Sequence, residues 1–323
     1  MHYHRGLLFW GLALITGGAV ALAAQRGYID SHALGGAWRL WPLILIAIGV
    51  SILAARTPFA IVGTVVAALV VGAAGGTLIA VGPGVAACGG PDPTNVTTRH
   101  GSFGQAASVK LEFNCGTLDV GMQGGTDWTV SANRQGDSAP QITTDLTSLD
   151  VRSAGGSNWF DNLGRQRWTV TLPRATNYQL AVSPNAASTR VNLGGGSFGS
   201  VSVQPNAGSL FLDLTGAKVD DLEMSLNAGS ASILVAKGTD ITGSLSVNAG
   251  SIELCAPAPV AFRFTVKENL TFSHNLEESG LGHDGDVWSY SPPVPSGAVV
   301  SFMDLHIEGN AGSFTLNPEG GCS

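Results

Sequence analysis

The chain has 323 residues, 44% of them hydrophobic and only 12% charged, with 44 glycines, so charge stands near half its share in an ordinary soluble protein while glycine is enriched. The net charge of −7 divides into +3 up to residue 81, where four arginines oppose the single acid Asp30, and −10 beyond it. No basic stripe is left to meet phosphates, which disfavours nucleic-acid binding, and the composition fits neither a disordered tail nor an ordinary cytosolic enzyme.

Residues 6–25, GLLFWGLALITGGAVALAAQ, carry no charge and have the length of roughly 20 apolar residues needed to cross a hydrocarbon core. A second span is expected over 40–55, with Trp38 and Trp41 placed as an interfacial aromatic belt. After the break Arg56-Thr57-Pro58 a third runs over 59–81, and its Gly63, Gly72, Gly75 and Gly76 suit close helix packing in lipid. A buried soluble helix bundle is the blander alternative, but three uncharged spans in so short a stretch exceed what a soluble core uses. A cleaved signal peptide is disfavoured because the first span is too long and two more follow. Arg5 and Arg56 balance Arg26 and Arg39 across the membrane, so only His2, His4 and the terminal amine tip the N-terminus inward. Three spans then place everything after residue 81 outside the cytoplasm: a multi-pass protein of the cell membrane with an extracytoplasmic C-terminal domain.

The segments RGLLFWGLALITGG, GYID and WRLWPLILIAIGVSIL together resemble the LiaI/LiaF-type transmembrane region of bacterial envelope-stress proteins, a helix hairpin with a Trp-Pro opening its second helix. The third span, 59–81, lies outside that pattern. Residues 82–95 read as a Gly/Pro linker, and within it Val85-Ala86-Ala87-Cys88 has the look of a lipobox, expected to be coincidental at an internal position. The even set Cys88, Cys115, Cys255 and Cys322 fits an oxidising compartment, with three possible connectivities, although unbonded packed thiols would also fit.

From residue 96 to 323 short alternating apolar runs replace helical periodicity. Asn185-Ala186-Ala187-Ser188, Asn206-Ala207-Gly208-Ser209, Asn227-Ala228-Gly229-Ser230 and Asn248-Ala249-Gly250-Ser251 recur every 21 residues, and Asn310-Ala311-Gly312-Ser313 returns later. A fixed period of this length means stacked coils. Apolar side chains follow each Asn at offsets four, six and eight, as in Leu210, Leu212 and Leu214, and a second run precedes it, as in Leu222, Met224 and Leu226. Each coil is therefore expected to supply two strands of about five residues. Extending the frame backward reaches Trp168, Val170 and Leu172, and five coils from residue 164 would make a rod of about 24 Å. Asn114-Cys115-Gly116-Thr117 fits the same template.

Glycine meets the need for positive φ at the corner. Asn185, Asn206, Asn227 and Asn248 could stack as an amide ladder, and Ser188, Ser209, Ser230 and Ser251 as a hydroxyl ladder, a structural role in preference to a binding one. Residues 268–298 interrupt the period and read as an irregular insertion or a cap. The expected fold is thus a membrane-anchored all-β protein: a three-helix transmembrane region (1–81), then a β-solenoid, β-helix- or β-roll-like, of 21-residue coils. The RWTVTLP and NAGS units resemble the adhesin-like and LiaF C-terminal class of β-repeat domains.

Catalytic chemistry is not legible. Gly195-Gly196-Ser197-Phe198-Gly199 matches G-x-S-x-G, but strands flank it where a nucleophile elbow needs strand, turn and helix. Glu277, Glu278, Asp284 and Asp286 lack EF-hand spacing, and no P-loop, dinucleotide fingerprint or paired-cysteine zinc motif occurs. The reading is a non-catalytic protein with no cofactor and no metal, partnered by membrane lipid and by other membrane or envelope proteins, with a homo-oligomer compatible. The resemblance implies sensing or regulation of envelope stress through protein–protein contacts. The alternative is an adhesin-like or scaffolding solenoid that binds an extracellular polymer or partner. An enzyme acting on envelope polymers stands third, because it would need paired carboxylates facing one groove.

Overall fold

Alternation at a period of two puts every second side chain of a strand on one face, so each run in the repeat buries a single stripe. The computed structural model describes residues 95–134, 139–153, 165–235, 239–256, 260–293 and 301–319, with helical residues 10–12, 14–16, 18, 19, 65 and 68–72 before them. The chain divides into two units, Met1–Gly90 and Pro91–Ser323. The three expected spans lie almost wholly outside the described residues, as do Cys88 and its lipobox; among the described residues no helix is long and apolar enough to cross a membrane.

The second unit is all-β and solenoid-like. Its strands in chain order are β1 (Asn95–Ser102), β2 (Ala106–Gln123), β3 (Asp127–Arg134), β4 (Gln141–Thr144), β5 (Ser148–Arg152), β6 (Gln166–Pro173), β7 (Asn177–Asn192) and β8 (Ser197–Val203). They continue with β9 (Ala207–Asp213), β10 (Lys218–Val219), β11 (Leu222–Leu234), β12 (Ile241–Cys255), β13 (Val260–His274), β14 (Gly282–Asp284), β15 (Val287–Tyr290) and β16 (Ser301–Leu316).

Where two short strands per coil are expected, β7, β11, β12 and β16 each run unbroken through the Asn corner, because the parallel ladder continues across it: Ala228 pairs Ala249, and Gly229 pairs Gly250. The bend shows instead as a change of parity. Leu222, Met224 and Leu226 are buried before the corner, and Ala231, Ile233 and Val235 after it. Gly229 makes this bend at φ 119°, and a Cβ there would collide with the carbonyl oxygen of Gly208 in the layer below. β8 and β9 form the one central layer that is divided, at residues 204–206.

The order of layers in space departs from chain order at both ends. β2 pairs in parallel with β7 on one side and with β5 and β6 on the other. The 164 frame therefore does not stack on the 185 frame: Trp168, Val170 and Leu172 are fully buried in β6, but β2 lies between them and β7. At the other end β16 pairs with β12 and with β13, so the last strand of the chain fills the place next to β12. The irregular stretch expected from residue 268 instead continues β13 through His274 with a bulge between Glu268 and Thr271, and then forms the antiparallel β14–β15 hairpin. The stack reads β5 with β6, β2, β7, β8 with β9, β11, β12, β16, β13. At about 4.8 Å per layer these eight make about 38 Å, longer than the five-coil rod.

Antiparallel strands close both ends. β3 covers β6 and is covered by β1, β4 covers β5, and β15 covers β13. Such closure blunts the open edges of a stack. Large rings plug the same ends, with Phe113 edge-on to Trp168 at 4.9 Å and Phe264 edge-on to Phe314 at 5.9 Å. Between them the core is mostly Leu, Ile, Val and Ala, each fully buried Leu contributing about 1.5–3 kcal/mol.

Thr189 and Ser301 are inward exceptions to this apolar rule. Thr189 is 3% exposed, stands in register between Leu118 and Leu210, and its hydroxyl has no hydrogen-bond partner among the described residues. Thr189→Val should therefore stabilise the domain by about 1 kcal/mol, since it removes an unsatisfied buried group at constant shape. The check is the thermal midpoint of the two proteins; an unchanged or lower midpoint would show that the hydroxyl is satisfied.

Candidate functional site

The outward positions form two faces that meet at the Asn corner. On the corner itself the amides link layer to layer. Asn185 Nδ2 donates to Asn114 Oδ1 at 2.9 Å, and Asn206 Nδ2 donates to Asn185 Oδ1. Asn227 Nδ2 donates to Asn206 Oδ1 at 2.6 Å, Asn248 Nδ2 to Asn227 Oδ1 at 2.8 Å, and Asn310 Nδ2 to Asn248 Oδ1 at 2.7 Å. Asn114 and Asn310 join the row although they lie 71 and 62 residues from their neighbours. Their N-x-G-[ST] spelling was the available signal, but the 21-residue frame does not place them in the stack.

Beside this row the parallel register aligns Thr117, Ser188, Ser209, Ser230, Ser251, Ser313 and Ser273. Ser209 Oγ lies 3.4 Å from Ser188 Oγ, at the outer limit of a hydrogen bond. The register thus stacks the hydroxyl column more regularly than hydrogen bonding joins it.

The face before the corner has a graded character. Its central layers carry small polar side chains such as Ser183, Ser202, Ser225, Ser244 and Ser246, with Glu223 accepting from Ser202 Oγ at 3.1 Å. Its outer layers carry ion pairs. At one end Lys110 meets Glu112 at 2.6 Å, and Arg152 grips Asp150 through Nε at 2.9 Å and Nη2 at 2.6 Å. At the other, Lys267 meets Glu308 at 2.9 Å and Arg263 approaches Asp304 at 3.9 Å. These exposed pairs add little stability singly; they lie in the outer layers, while Glu223 stands as a charge in the central ones.

The Arg152 guanidinium holds the Asp150 carboxyl below its usual range, and the Lys267 ammonium does the same for Glu308. Burial pushes Tyr178 up to about 12, and its hydroxyl donates to the Pro173 carbonyl at 2.8 Å.

The residues considered for chemistry are not drawn into a catalytic arrangement. Ser197 opens β8 directly after a turn at Gly195 (φ 75°), so strand, turn and strand surround it. Glu277 and Glu278 sit in the turn after β13, Asp284 in β14 and Asp286 in the hairpin turn; among the described residues no three His, Cys, Asp or Glu are arranged to hold a metal ion. His2 and His4 lie outside the described residues. A depression of about 370 Å³ brings together Lys218, Asp220 and Asp240, but Asp240 Oδ1 accepts the Phe302 N–H at 2.7 Å and so anchors β16. Cys115 and Cys255 are both disulfide-bonded.

Two changes test this geometry. Asn227→Leu removes two amide links and should lower stability by about 1–2 kcal/mol, read as a lower melting temperature; unchanged melting would count against the ladder. A carboxylate whose folded pKa is depressed stabilises the fold above its ordinary value and ceases to do so as pH falls through the lowered one. Melting temperature should therefore fall as pH drops below about 4, and Lys267→Met should flatten part of that decline; identical profiles would exclude Glu308 as a contributor.

Residues 95–236 match the family described as the N-terminal domain of toast_rack, DUF2154, and residues 8–53 match the LiaI-LiaF-like transmembrane region. No curated protein matches the chain. Among solved structures, a candidate cell adhesion protein from Clostridium sporogenes ATCC 15579 is similar at 12% identity and a TM-score of 0.47, over 69% of this chain and 99% of that one. A candidate adhesin from Bacteroides fragilis NCTC 9343 is similar at 13% identity and a TM-score of 0.24, over 70% and 100% of the two chains. Another, from Parabacteroides merdae ATCC 43184, is similar at 8% identity and a TM-score of 0.23, over 70% and 97%. Neither matched family is an enzyme family, and the chain is similar over 8–53 to a LiaI-LiaF-like transmembrane region and over 95–236 to a toast_rack N-terminal domain.

Proposed function

We propose that this is a non-catalytic, multi-pass protein of the cell membrane whose solenoid lies outside the cytoplasm and regulates the response to envelope stress by docking on another membrane protein. The observation that carries the reading is the graded face: small hydroxyl side chains across the central layers, with ion pairs confined to the outer ones. A patch made mostly of short side chains accepts a partner broadly, while the ion pairs in its outer layers orient that partner. The LiaI-LiaF-like region at 8–53 supports membrane anchoring. A second reading, an adhesin-like scaffold, draws on the aligned amide and hydroxyl rows, which offer repeating hydrogen-bond groups to an extended polymer.

A photo-crosslinker placed at Ser225 in intact membranes separates the two. Capture of a membrane protein, such as a membrane-embedded kinase, is the expected result; capture of an extracellular polymer would replace the first reading with the second, and no adduct would remove this face from either. Protease treatment of intact cells should degrade residues 96–323, and protection of that region would reverse the sidedness.

A further inference from the structure

Cys255 closes β12, and both it and Cys115 are disulfide-bonded. The strand register decides whether they hold each other. Cys115 shares a column with Ala186, Ala207, Ala228 and Ala249, and the last of these lies in β12 itself. Cys255 stands four layers from Cys115 and six residues farther along the strand than Ala249. Four steps of about 4.8 Å and six of about 3.3 Å separate the two by about 28 Å, whereas bonded cysteines have Cα atoms less than about 7 Å apart. They are not partners.

The end of β16 narrows the choice further. The Asn317 N–H donates to the Leu254 carbonyl at 2.8 Å, and the Ala256 N–H donates to Asn317 Oδ1 at 2.8 Å, so Asn317 is pinned beside Cys255. Cys322 lies five residue steps beyond Asn317, and fully extended those steps span about 18 Å. Cys115 lies one layer farther off, about 31 Å from Asn317, beyond that span plus a disulfide. If Cys255 were bonded to Cys88, Cys115 would be left with Cys322, which it cannot reach.

We infer that Cys322 is bonded to Cys255. The bridge closes a loop that contains β13, β14, β15 and β16 and clamps the terminal strand into its place between β12 and β13. Hydrogen bonds hold β16 on both sides, and the bridge adds a covalent tie to β12. In the cell its formation rests on the extracytoplasmic placement proposed above, because thiols stay reduced in the cytosol.

The test is peptide mapping of the full chain, extracted from membranes with thiols alkylated at lysis and digested with trypsin without reduction. Lys and Arg positions put Cys88, Cys115, Cys255 and Cys322 on four separate peptides. The expected result is a linked pair joining the Cys255 and Cys322 peptides, separate from whatever peptide Cys115 is linked to and lost in Cys322→Ser. Cys322→Ser should lower the melting temperature by about 10 °C, and the double variant with Cys255→Ser should melt no lower than that, since one bond is broken in either. Linkage of Cys322 to Cys115 or Cys88, or to a second chain, would overturn the inference. If Cys255 and Cys322 are alkylated in cell extracts but link when the purified chain is treated with oxidised glutathione, the pairing stands and the placement outside the cytoplasm falls. If they link under neither condition, the pairing falls.

Discussion

The architecture depends on a corner that must repeat in register. At Gly208 and Gly229 the backbone turns at φ near 119°, and the carbonyl of the layer below occupies the space where a Cβ would stand. Glycine is required twice over, by conformation and by close approach. Once the corners superimpose, the Asn amides beside them fall within hydrogen-bond distance of their neighbours, and each layer is locked to the next both inside, by apolar packing, and outside, by amide contacts. A slip of one residue would break both sets together, because it would also turn every buried side chain outward.

This mutual locking explains how the chain can leave sequential order at its ends without losing the stack. β2 accepts β7 on one side and β5 and β6 on the other, and β16 seats itself between β12 and β13. The layers carry interchangeable corners, so Asn114 and Asn310 join the row as well as any consecutive repeat does. The reordering places whole strands with antiparallel covers at both termini and puts the bulky rings, Trp168 and Phe113 at one end, Phe264 and Phe314 at the other, where the cross-section must be sealed.

The same regularity shapes the surface. Side chains between stacked layers repeat at the interlayer spacing, so the chemistry of a face is set column by column. Central layers rich in serine leave a largely polar patch, and ion pairs within and between the outer strands mark its limits. Binding through such a surface needs no cavity and no catalytic group, in keeping with a depression whose Asp240 already serves the backbone of β16.

The repeat period, the buried stripe of each run and the corner residues were all legible in the sequence, because each is a local rule: alternation, the steric freedom of glycine, and the spacing of Asn. The amide row was legible over the four consecutive repeats for the same reason. Which layer lies against which was not. The corner motif varies little among these layers, with Ala187 in place of glycine in β7, so the sequence offers no local mark that Asn114 belongs next to Asn185 or that Asn310 belongs next to Asn248. Those neighbours are selected only when the whole stack closes, by the fit of aromatic rings at the ends and by the antiparallel strands that cover them. The gradation of charge along the outer face follows from that layer order, and it too was decided by the tertiary structure alone.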